Sequence, residues 1–333
     1  MTPPGTWRLS VAPMIAWTDR HCRFFHRLIT RRTRLYTEMI TTGALLHGDV
    51  AAHLDFDPVE HPVALQLGGS EPADLAACAK LGERCGYDEI NLNCGCPSER
   101  VQRGAFGACL MAEPELVADG LKAMQDAVSI PVTVKHRIGI DRVESYDFVR
   151  DFVGTVAERA GVQIFIVHAR NAWLQGLSPK ENRDIPPLRH DVVHRLKRDF
   201  PRLTIVVNGG ITNAEQISAQ LAQVDGVMIG RAAYHDPWGM VEWDARWLGA
   251  PAREIDRLQV ERAMVDYMQV QQRLGVPWPH IARHMLGLRH GQPGARHWRR
   301  VWSDHRLKDE SPAAVHALAH RSHERRIDAE ETA

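Results

Sequence analysis

The segment Asn91–Ser98 carries the densest set of groups that could do chemistry. It reads Asn-Leu-Asn-Cys-Gly-Cys-Pro-Ser, which places Cys96 between a glycine and a proline. Gly95 and Pro97 predict a tight loop that holds the Cys96 side chain outward. A loop thiol among hydrogen-bond donors is a candidate general acid or nucleophile, although the local sequence fits an inert turn cysteine equally well. Cys94 is predicted to fill the core as a small apolar side chain.

Two glycine-containing segments could bind a phosphate group. Asn208-Gly-Gly-Ile-Thr and Met228-Ile-Gly-Arg each follow a short apolar run. Glycines let backbone N–H groups approach an anion, and the forked guanidinium of Arg231 suits phosphate oxygens. Each segment alone fits an ordinary glycine turn, but the two together favour a site for the phosphate of a cofactor or a substrate.

Three further polar residues come at or after the ends of apolar runs. Lys135 could stabilise negative charge on a reduced flavin, form a Schiff base as in barrel aldolases, or simply pair with Glu38. His168 could bind an anion or a cofactor, or be a core histidine. The amide of Gln66 suits the edge of a flavin or a base, since it offers both donors and an acceptor.

These residues all stand where short β-branched runs end and segments with helical periodicity begin. Eight such runs precede residue 232: Leu9–Val11, Leu35–Thr37, Val63–Leu67, Glu89–Leu92, Val132–Val134, Ile164–Val167, Thr204–Val207 and Gly226–Ile229. Continuous apolar runs predict parallel strands buried on both faces. Eight strand-helix units favour an α/β fold of the closed (β/α)8 TIM-barrel type, whose site residues lie at one rim. An open Rossmann or flavodoxin-like sheet is the alternative, but its Gly-x-Gly-x-x-Gly turn is missing.

The strand pattern stops after Trp238, and apolar residues then recur at helical spacing from Arg253 to Leu274. The predicted organisation is therefore a barrel over residues 1–240, a small C-terminal helical domain over residues 241–325 and a disordered tail over residues 326–333. Residues 283–308 hold seven basic residues and one acidic residue, interleaved with Trp298 and Trp302. This bias suits phosphate contacts and stacking on exposed bases, although a solvated basic helix face is the alternative.

Composition excludes several classes of protein. The chain has 333 residues with 41 basic and 41 acidic side chains, so it does not coat nucleic acid through its net charge, and any such site must be a local patch. Six cysteines in a chain of this length predict neither a disulfide framework nor a zinc cluster, and no metal site is expected. Because the sequence shows no signal segment and no membrane span, a cytoplasmic location is predicted.

In its motifs the sequence resembles the tRNA-dihydrouridine synthase family, and within it the A-type subfamily. The resemblance runs from about Ser10 to Trp302. It rests on Ala12-Pro-Met14, Trp17-Thr-Asp-Arg-His-Cys22, Gln66-Leu-Gly-Gly, Asn91–Ser98, Val134-Lys-His-Arg137, His168-Ala-Arg170, the run from Ala172 to Arg183, Asn208-Gly-Gly210, Met228-Ile-Gly-Arg231 and Pro293-Gly-Ala-Arg-His-Trp-Arg-Arg300.

The resemblance implies a barrel that binds FMN and reduces the C5–C6 bond of uridine in the tRNA D-loop, at positions 20 and 20a, with electrons from NADPH. Cys96 would be the general acid that protonates C5 while flavin N5 gives hydride to C6, and Asn93 would hold the uracil ring. The residues implied to hold FMN are Pro13, Met14, Ile15, Gln66, Lys135, His168, Asn208, Gly209, Gly210, Gly230 and Arg231. Those implied to grip tRNA are Lys180, Arg183, Arg296 and Arg299. A monomer without an obligatory protein partner is expected.

Two departures from the family pattern stand near the implied site. Ile15-Ala16 stands where an Asp is common, and Cys94 replaces a usual apolar residue beside the Cys96 loop. Neither removes an implied catalytic group. The alternative functions are a flavin reductase of free pyrimidines, which would not need the basic C-terminal part, and a non-catalytic tRNA-binding protein.

Overall fold

A computed structural model describes residues 7–98, 104–143 and 145–320. The predicted tail over residues 326–333 lies outside the described residues. All eight predicted strands are present, and each begins at the predicted residue. Their bounds are β1 Leu9–Val11, β2 Leu35–Thr41, β3 Val63–Gly68, β4 Glu89–Cys94, β5 Val132–Arg137, β6 Ile164–His168, β7 Thr204–Asn208 and β8 Gly226–Ile229.

The eight strands form one parallel sheet that closes into a barrel. Their order is β1-β8-β7-β6-β5-β4-β3-β2, with every ladder parallel. A bridge between Ser10 and Arg34 joins the two ends, where the Val11 N–H donates to the Arg34 carbonyl at 2.9 Å. The prediction of a (β/α)8 barrel is therefore confirmed, and the open-sheet alternative is wrong.

Helices connect the strands and continue beyond the last one. Tyr146–Ala160 illustrates their local cause: the Ser145 side chain caps its first turn by accepting from the Asp147 N–H, and Gly161 ends it in the left-handed region at φ 74°. The α-helices are Arg20–Ile29, Thr42–His47, Val50–Leu54, Pro72–Arg84, Pro114–Ala127, Tyr146–Ala160, His190–Asp199, Ala214–Leu221, Arg231–His235, Trp243–Trp247, Arg257–Arg273, Trp278–Ala282 and Ala295–Trp302, and residues 312–320 are also helical.

The barrel interior is apolar in its middle layer and holds a buried ion pair at the amino ends of the strands. Successive strand residues alternate between the two faces, and the inward side chains include a cluster of Ala12, Tyr36, Ala64, Ile166, Val206 and Met228. Below it, the Arg34 guanidinium lies 3.1 Å from the Glu89 carboxylate, and both side chains are buried. A buried charge without its partner costs about 3–5 kcal/mol. Loss of either Arg34 or Glu89 is therefore expected to destabilise the barrel.

The chain divides into two compact units. The first contains the described residues of Met1–Arg20 and Arg32–Gly230, and the second those of His21–Arg31 and Arg231–Ala333. Within the second unit the Phe24 ring stacks on Tyr267 with centroids 3.8 Å apart, and the Thr30 hydroxyl donates to Asp244 at 2.6 Å. Among the described helices, none has the length and apolar character that a membrane span requires.

Candidate active site

Polar side chains meet at the carboxyl ends of the barrel strands, as the sequence predicts. Gln66 lies in β3, Asn93 in β4 and Lys135 in β5, while His168 and Asn208 end β6 and β7. The strand register pairs Asn93 with Lys135 and His168 with Asn208 across neighbouring strands. One rim of the barrel therefore carries these five residues.

The side chain of Asn93, the penultimate residue of β4, anchors the Cys96 loop to the end of this strand. Asn93 Oδ1 accepts hydrogen bonds from the backbone N–H groups of Gly95 and Cys96, each at 3.0 Å. The Cys96 side chain is half-buried, and its thiol donates to the Ser98 hydroxyl at 3.5 Å. Cys94 is fully buried, and this burial raises the pKa of its thiol, so it is a core residue as predicted. Asn93 thus holds the backbone of the loop that carries the Cys96 thiol.

Lys135 presents a cation to the rim without a hydrogen bond in the described part of the chain. It lies on the same face of β5 as Thr133, whose hydroxyl contacts Glu89 inside the barrel. Burial lowers the pKa of Lys135 to about 7; Arg137 adds to this shift and Cys96 opposes it. Glu38 accepts a hydrogen bond from the Ala16 N–H instead, so the suggested Lys135–Glu38 pair is wrong for the described residues.

The first glycine after β7 lies directly against His168, and the second lies against Leu188. Gly209 has φ 113°, and a Cβ built on it would lie 2.6 Å from His168 Cδ2; Gly210 has φ 69° and leaves 2.4 Å to Leu188. Both positions therefore require glycine. Burial, followed by the charges of Arg137 and Lys135, lowers the pKa of His168 well below its usual range. The imidazole is consequently neutral and retains one N–H donor.

Arg137 lies at the candidate site, and the sequence analysis gave it no role. Its Nε donates to the Gly95 carbonyl at 3.1 Å, and its NH1 group donates to the carbonyls of Asn171 at 3.1 Å and Asn182 at 2.9 Å. It therefore ties the Cys96 loop to the loops after β6. Burial lowers its pKa to about 10, with Cys96 opposing. The sequence could have identified Arg137 by its spacing, because it follows Lys135 by two residues and therefore lies on the same face of the strand.

The residues that follow β1 and β8, which the resemblance also assigns to FMN, differ in their burial. Met14 packs against the interior cluster, and a Cβ on Gly230 would lie 3.9 Å from its sulfur. Pro13 is half-buried, whereas Ile15 is 60% exposed on the turn that follows. Arg231 is the first residue of the helix Arg231–His235. The roles implied for these residues toward FMN remain predictions.

The basic residues implied to grip tRNA are exposed in both units. Lys180 precedes the short 3-10 helix Glu181–Arg183 in the first unit, and Arg183 is its last residue. Burial is the main cause that lowers the pKa of His168, and the charge of Arg183 adds to it. Arg296 and Arg299 are exposed on the helix Ala295–Trp302 in the second unit.

The two tryptophans of that helix do not form a stacking surface. Trp298 is 1% exposed and Trp302 is 2% exposed. Their ring centroids lie 6.3 Å apart, and Trp302 also packs edge-on against Trp278 at 5.6 Å. The expectation that they stack on exposed bases is wrong, because their i and i+4 spacing turns both rings into the core of the second unit.

Comparison with known proteins agrees with this description. Residues 10–323 match the family model described as "Dihydrouridine synthase (Dus)". The chain is 56% identical over 309 residues to a tRNA-dihydrouridine(20/20a) synthase of Salmonella typhi, covering 93% of each chain. It is 56% identical over 313 residues to the protein of that name in Escherichia coli strain K12, covering 94% of this chain and 90% of the relative.

A solved structure of similar fold is a 2-naphthoyl-CoA reductase in complex with 2-naphthoyl-CoA. Its TM-score is 0.55 at 10% sequence identity, over 72% of this chain and 50% of that chain, so this likeness shows the barrel fold alone. The family model and the curated relatives instead cover nearly the whole sequence. The chain therefore belongs to the dihydrouridine synthase family.

Proposed function

We propose that this protein reduces the C5–C6 double bond of uridine in tRNA, at positions 20 and 20a of the D-loop, with FMN as cofactor and NADPH as electron donor. The names of the curated relatives support this substrate. The observation that carries the chemistry is the pairing of Asn93 with Lys135 across β4 and β5. It puts the loop of Cys96 and the half-buried Lys135 side by side at the same rim.

The rim residues fit FMN. Gly209 leaves no Cβ beside His168 and Gly210 leaves none beside Leu188, and the Lys135 ammonium has no hydrogen bond among the described residues. In this proposal Gly209, Gly210 and Gly230, with Arg231 and His168, hold the phosphate-bearing part, and Gln66 and Lys135 hold the ring. When bound, FMN supplies the two electrons of the reduction.

Cys96 acts as the general acid in this proposal. Its thiol gives a proton to C5 of the uracil ring, where the reduction leaves negative charge. The Lys135 ammonium then stabilises the thiolate left behind, in keeping with the opposing effect of Cys96 on the pKa of Lys135. Asn93 keeps the thiol in place by holding the backbone of its loop.

The uridine must leave the base stack of the tRNA to reach a thiol at the mouth of a barrel. In this proposal Lys180, Arg183, Arg296 and Arg299, which are all exposed, contact the tRNA phosphates. The proposal also includes that the protein is a monomer and acts in the cytoplasm.

The experiment compares Cys96→Ala with Cys85→Ala, which removes an exposed thiol at the end of the helix Pro72–Arg84. Unmodified tRNA is incubated with NADPH and each FMN-loaded protein, and dihydrouridine is mapped by mass spectrometry. Cys96→Ala is expected to lose about 10²-fold or more of the activity and to keep the flavin spectrum. Cys85→Ala is expected to match wild type.

Three results would contradict the proposal. Full activity of Cys96→Ala would refute the general acid. Equal reduction of free uridine and tRNA would favour a reductase of free pyrimidines. Absence of a flavin spectrum after addition of FMN would favour a non-catalytic tRNA-binding protein.

A further inference from the structure

We propose that a chain of hydrogen-bonded side chains inside the barrel, which begins at the Glu89 carboxylate, fixes the orientation of the Asn93 amide and thereby positions the Cys96 loop. The inference rests on the proposed function for the roles of Asn93 and Cys96. The residues of the chain that touch neither cofactor nor substrate in that proposal are positioning residues: Glu89, Thr133 and Asn91.

The chain is continuous from the amino ends of the strands to the rim. Thr133 Oγ1 donates to Glu89 Oε1 at 2.5 Å, and Asn91 Nδ2 donates to Thr133 Oγ1 at 2.7 Å. Gln66 Nε2 donates to Asn91 Oδ1 at 2.7 Å, and Asn93 Nδ2 donates to Gln66 Oε1 at 2.9 Å. All five side chains are buried, so water does not compete for these bonds.

The anchor of the chain is an acceptor surrounded by donors. Besides Thr133, the Glu89 carboxylate receives the Tyr36 hydroxyl at 2.8 Å and the Trp7 indole N–H at 2.7 Å, and it pairs with Arg34 at 3.1 Å. Tyr36 and Trp7 donate to the two oxygens of Glu89, so this side chain acts as the acceptor of the chain. The hydroxyl proton of Thr133 must therefore point at Glu89.

This constraint passes through each amide in turn. Because Thr133 donates to Glu89, its oxygen can only accept from Asn91, and the Asn91 oxygen consequently faces Gln66. The Gln66 amide then presents its oxygen to Asn93, whose NH2 group must face it. The remaining Asn93 oxygen is left to accept from the backbone of the Cys96 loop, as the distances of 3.0 Å require. Both ends of the chain demand the same amide orientations.

The fixed orientation also limits what Asn93 can bind. Its oxygen already accepts two N–H groups and one of its N–H groups is used by Gln66, so a single N–H donor is left for a ligand. Asn93 is therefore set to hold an acceptor, such as a carbonyl oxygen of the uracil ring. A reversed amide would release the loop as well as change this preference.

The test interrupts the chain at Thr133, three hydrogen bonds away from Asn93. Thr133→Val keeps the shape and removes the hydroxyl, and Thr133→Ser keeps the hydroxyl. Thr204→Val is the matched control, because the Thr204 hydroxyl in β7 makes no hydrogen bond within the described part of the chain. Backbone hydrogen exchange of Gly95 and Cys96 is measured by mass spectrometry without tRNA or NADPH, and the kinetics are measured separately.

In Thr133→Val the two amides are expected to exchange about five- to tenfold faster, the effect of losing roughly one hydrogen bond. Thr133→Ser and Thr204→Val should stay within about twofold of wild type. In the kinetics, Thr133→Val is expected to lower kcat about tenfold and to leave KM for tRNA within about twofold. An unchanged exchange rate in a folded Thr133→Val protein would overturn the proposal.

Two further measurements keep the outcomes distinct. If Thr133→Val does not fold, neutron diffraction of the wild-type protein decides, since deuterium on the Asn93 nitrogen must face Gln66, and the reverse orientation refutes the chain. A wild-type protein that forms no dihydrouridine but shows the exchange response refutes the proposed function and leaves the positioning chain standing. An active enzyme whose exchange does not respond refutes only the chain.

Discussion

At the scale of single residues, Lys135 makes stability depend on pH. Burial lowers its pKa to about 7 from an ordinary value of 10.5. Below pH 7 the folded protein bears the full cost of a charged ammonium that is partly removed from water. Between pH 7 and 10.5 the folded state has lost a proton that the unfolded state keeps, so stability rises with pH and the cost disappears.

Lys135→Met is therefore expected to raise the free energy of unfolding of the FMN-free protein at pH 6, by up to about 5 kcal/mol, and to have its smallest effect near pH 10.5. Urea unfolding at both pH values measures the difference. Lys122→Met, which replaces an exposed lysine, should show no such pH dependence. The same stabilisation by Lys135→Met at pH 6 and pH 10.5 would show that the ammonium is not the cause.

At the scale of elements, the helix Ala295–Trp302 separates a structural face from a basic one. Trp298 and Trp302 are buried, whereas Arg296 and Arg299 are exposed. The double change of Arg296 and Arg299 to Ala is expected to raise KM for tRNA about tenfold and to reduce the salt slope of tRNA binding by roughly 2. The free energy of unfolding should stay within about 0.5 kcal/mol of wild type.

Enzyme kinetics and binding at several salt concentrations measure these effects. Arg262→Ala removes an exposed arginine from the helix Arg257–Arg273 of the same unit and is the control for a loss of charge alone. If Arg262→Ala weakened tRNA binding as much per charge as the double variant, the effect would belong to net charge and not to this helix.

The strands show what the sequence can and cannot predict at this scale. Each strand begins where its apolar run predicts, but β4 continues past Leu92 to Cys94 and β5 continues past Val134 to Arg137. The added residues are mostly the polar ones of the candidate site. The apolar runs stop at the barrel mouth because inward side chains there no longer pack in the apolar interior. A strand recognised by its apolar residues is therefore predicted too short at that end.

The hydrogen bonds between strands inside the barrel could not be predicted from local sequence. The link from Glu89 through Thr133 to Asn91 joins strands β4 and β5 and follows only from their register. By contrast, the rim positions of Asn93, Lys135 and His168 followed from their places after apolar runs. Side chains that act from the end of a strand can be predicted, whereas partners that meet through pairing inside the barrel cannot.

At the scale of the whole molecule, the second unit is assembled from two distant parts of the chain. Asp244 accepts from the Thr30 hydroxyl and from the Arg31 N–H, both at 2.6 Å. Nothing in the sequence around residues 21–31 indicates that this segment packs with helices that follow residue 231, because the contact depends on tertiary packing and not on local pattern.

Asp244→Ala is expected to lower the free energy of unfolding by about 2–3 kcal/mol, because it leaves two donors of the other segment without their acceptor. Glu242→Ala, which removes an exposed carboxylate two residues away, should change it by less than about 0.5 kcal/mol. Thermal and urea unfolding measure both variants. Equal losses in the two variants would show that the bonds to Thr30 and Arg31 contribute nothing specific.

This division of the chain has a consequence for biosynthesis. Thr30 and Asp244 are 214 residues apart, and ribosomes add about 5–20 residues per second. The first helix of the nascent chain therefore waits roughly 10 to 40 seconds for its partners, with Phe24 lacking the Tyr267 ring that later covers it. All eight strands have been synthesised by residue 229, so the barrel strands are complete while this helix of the second unit still awaits the residues that it packs with.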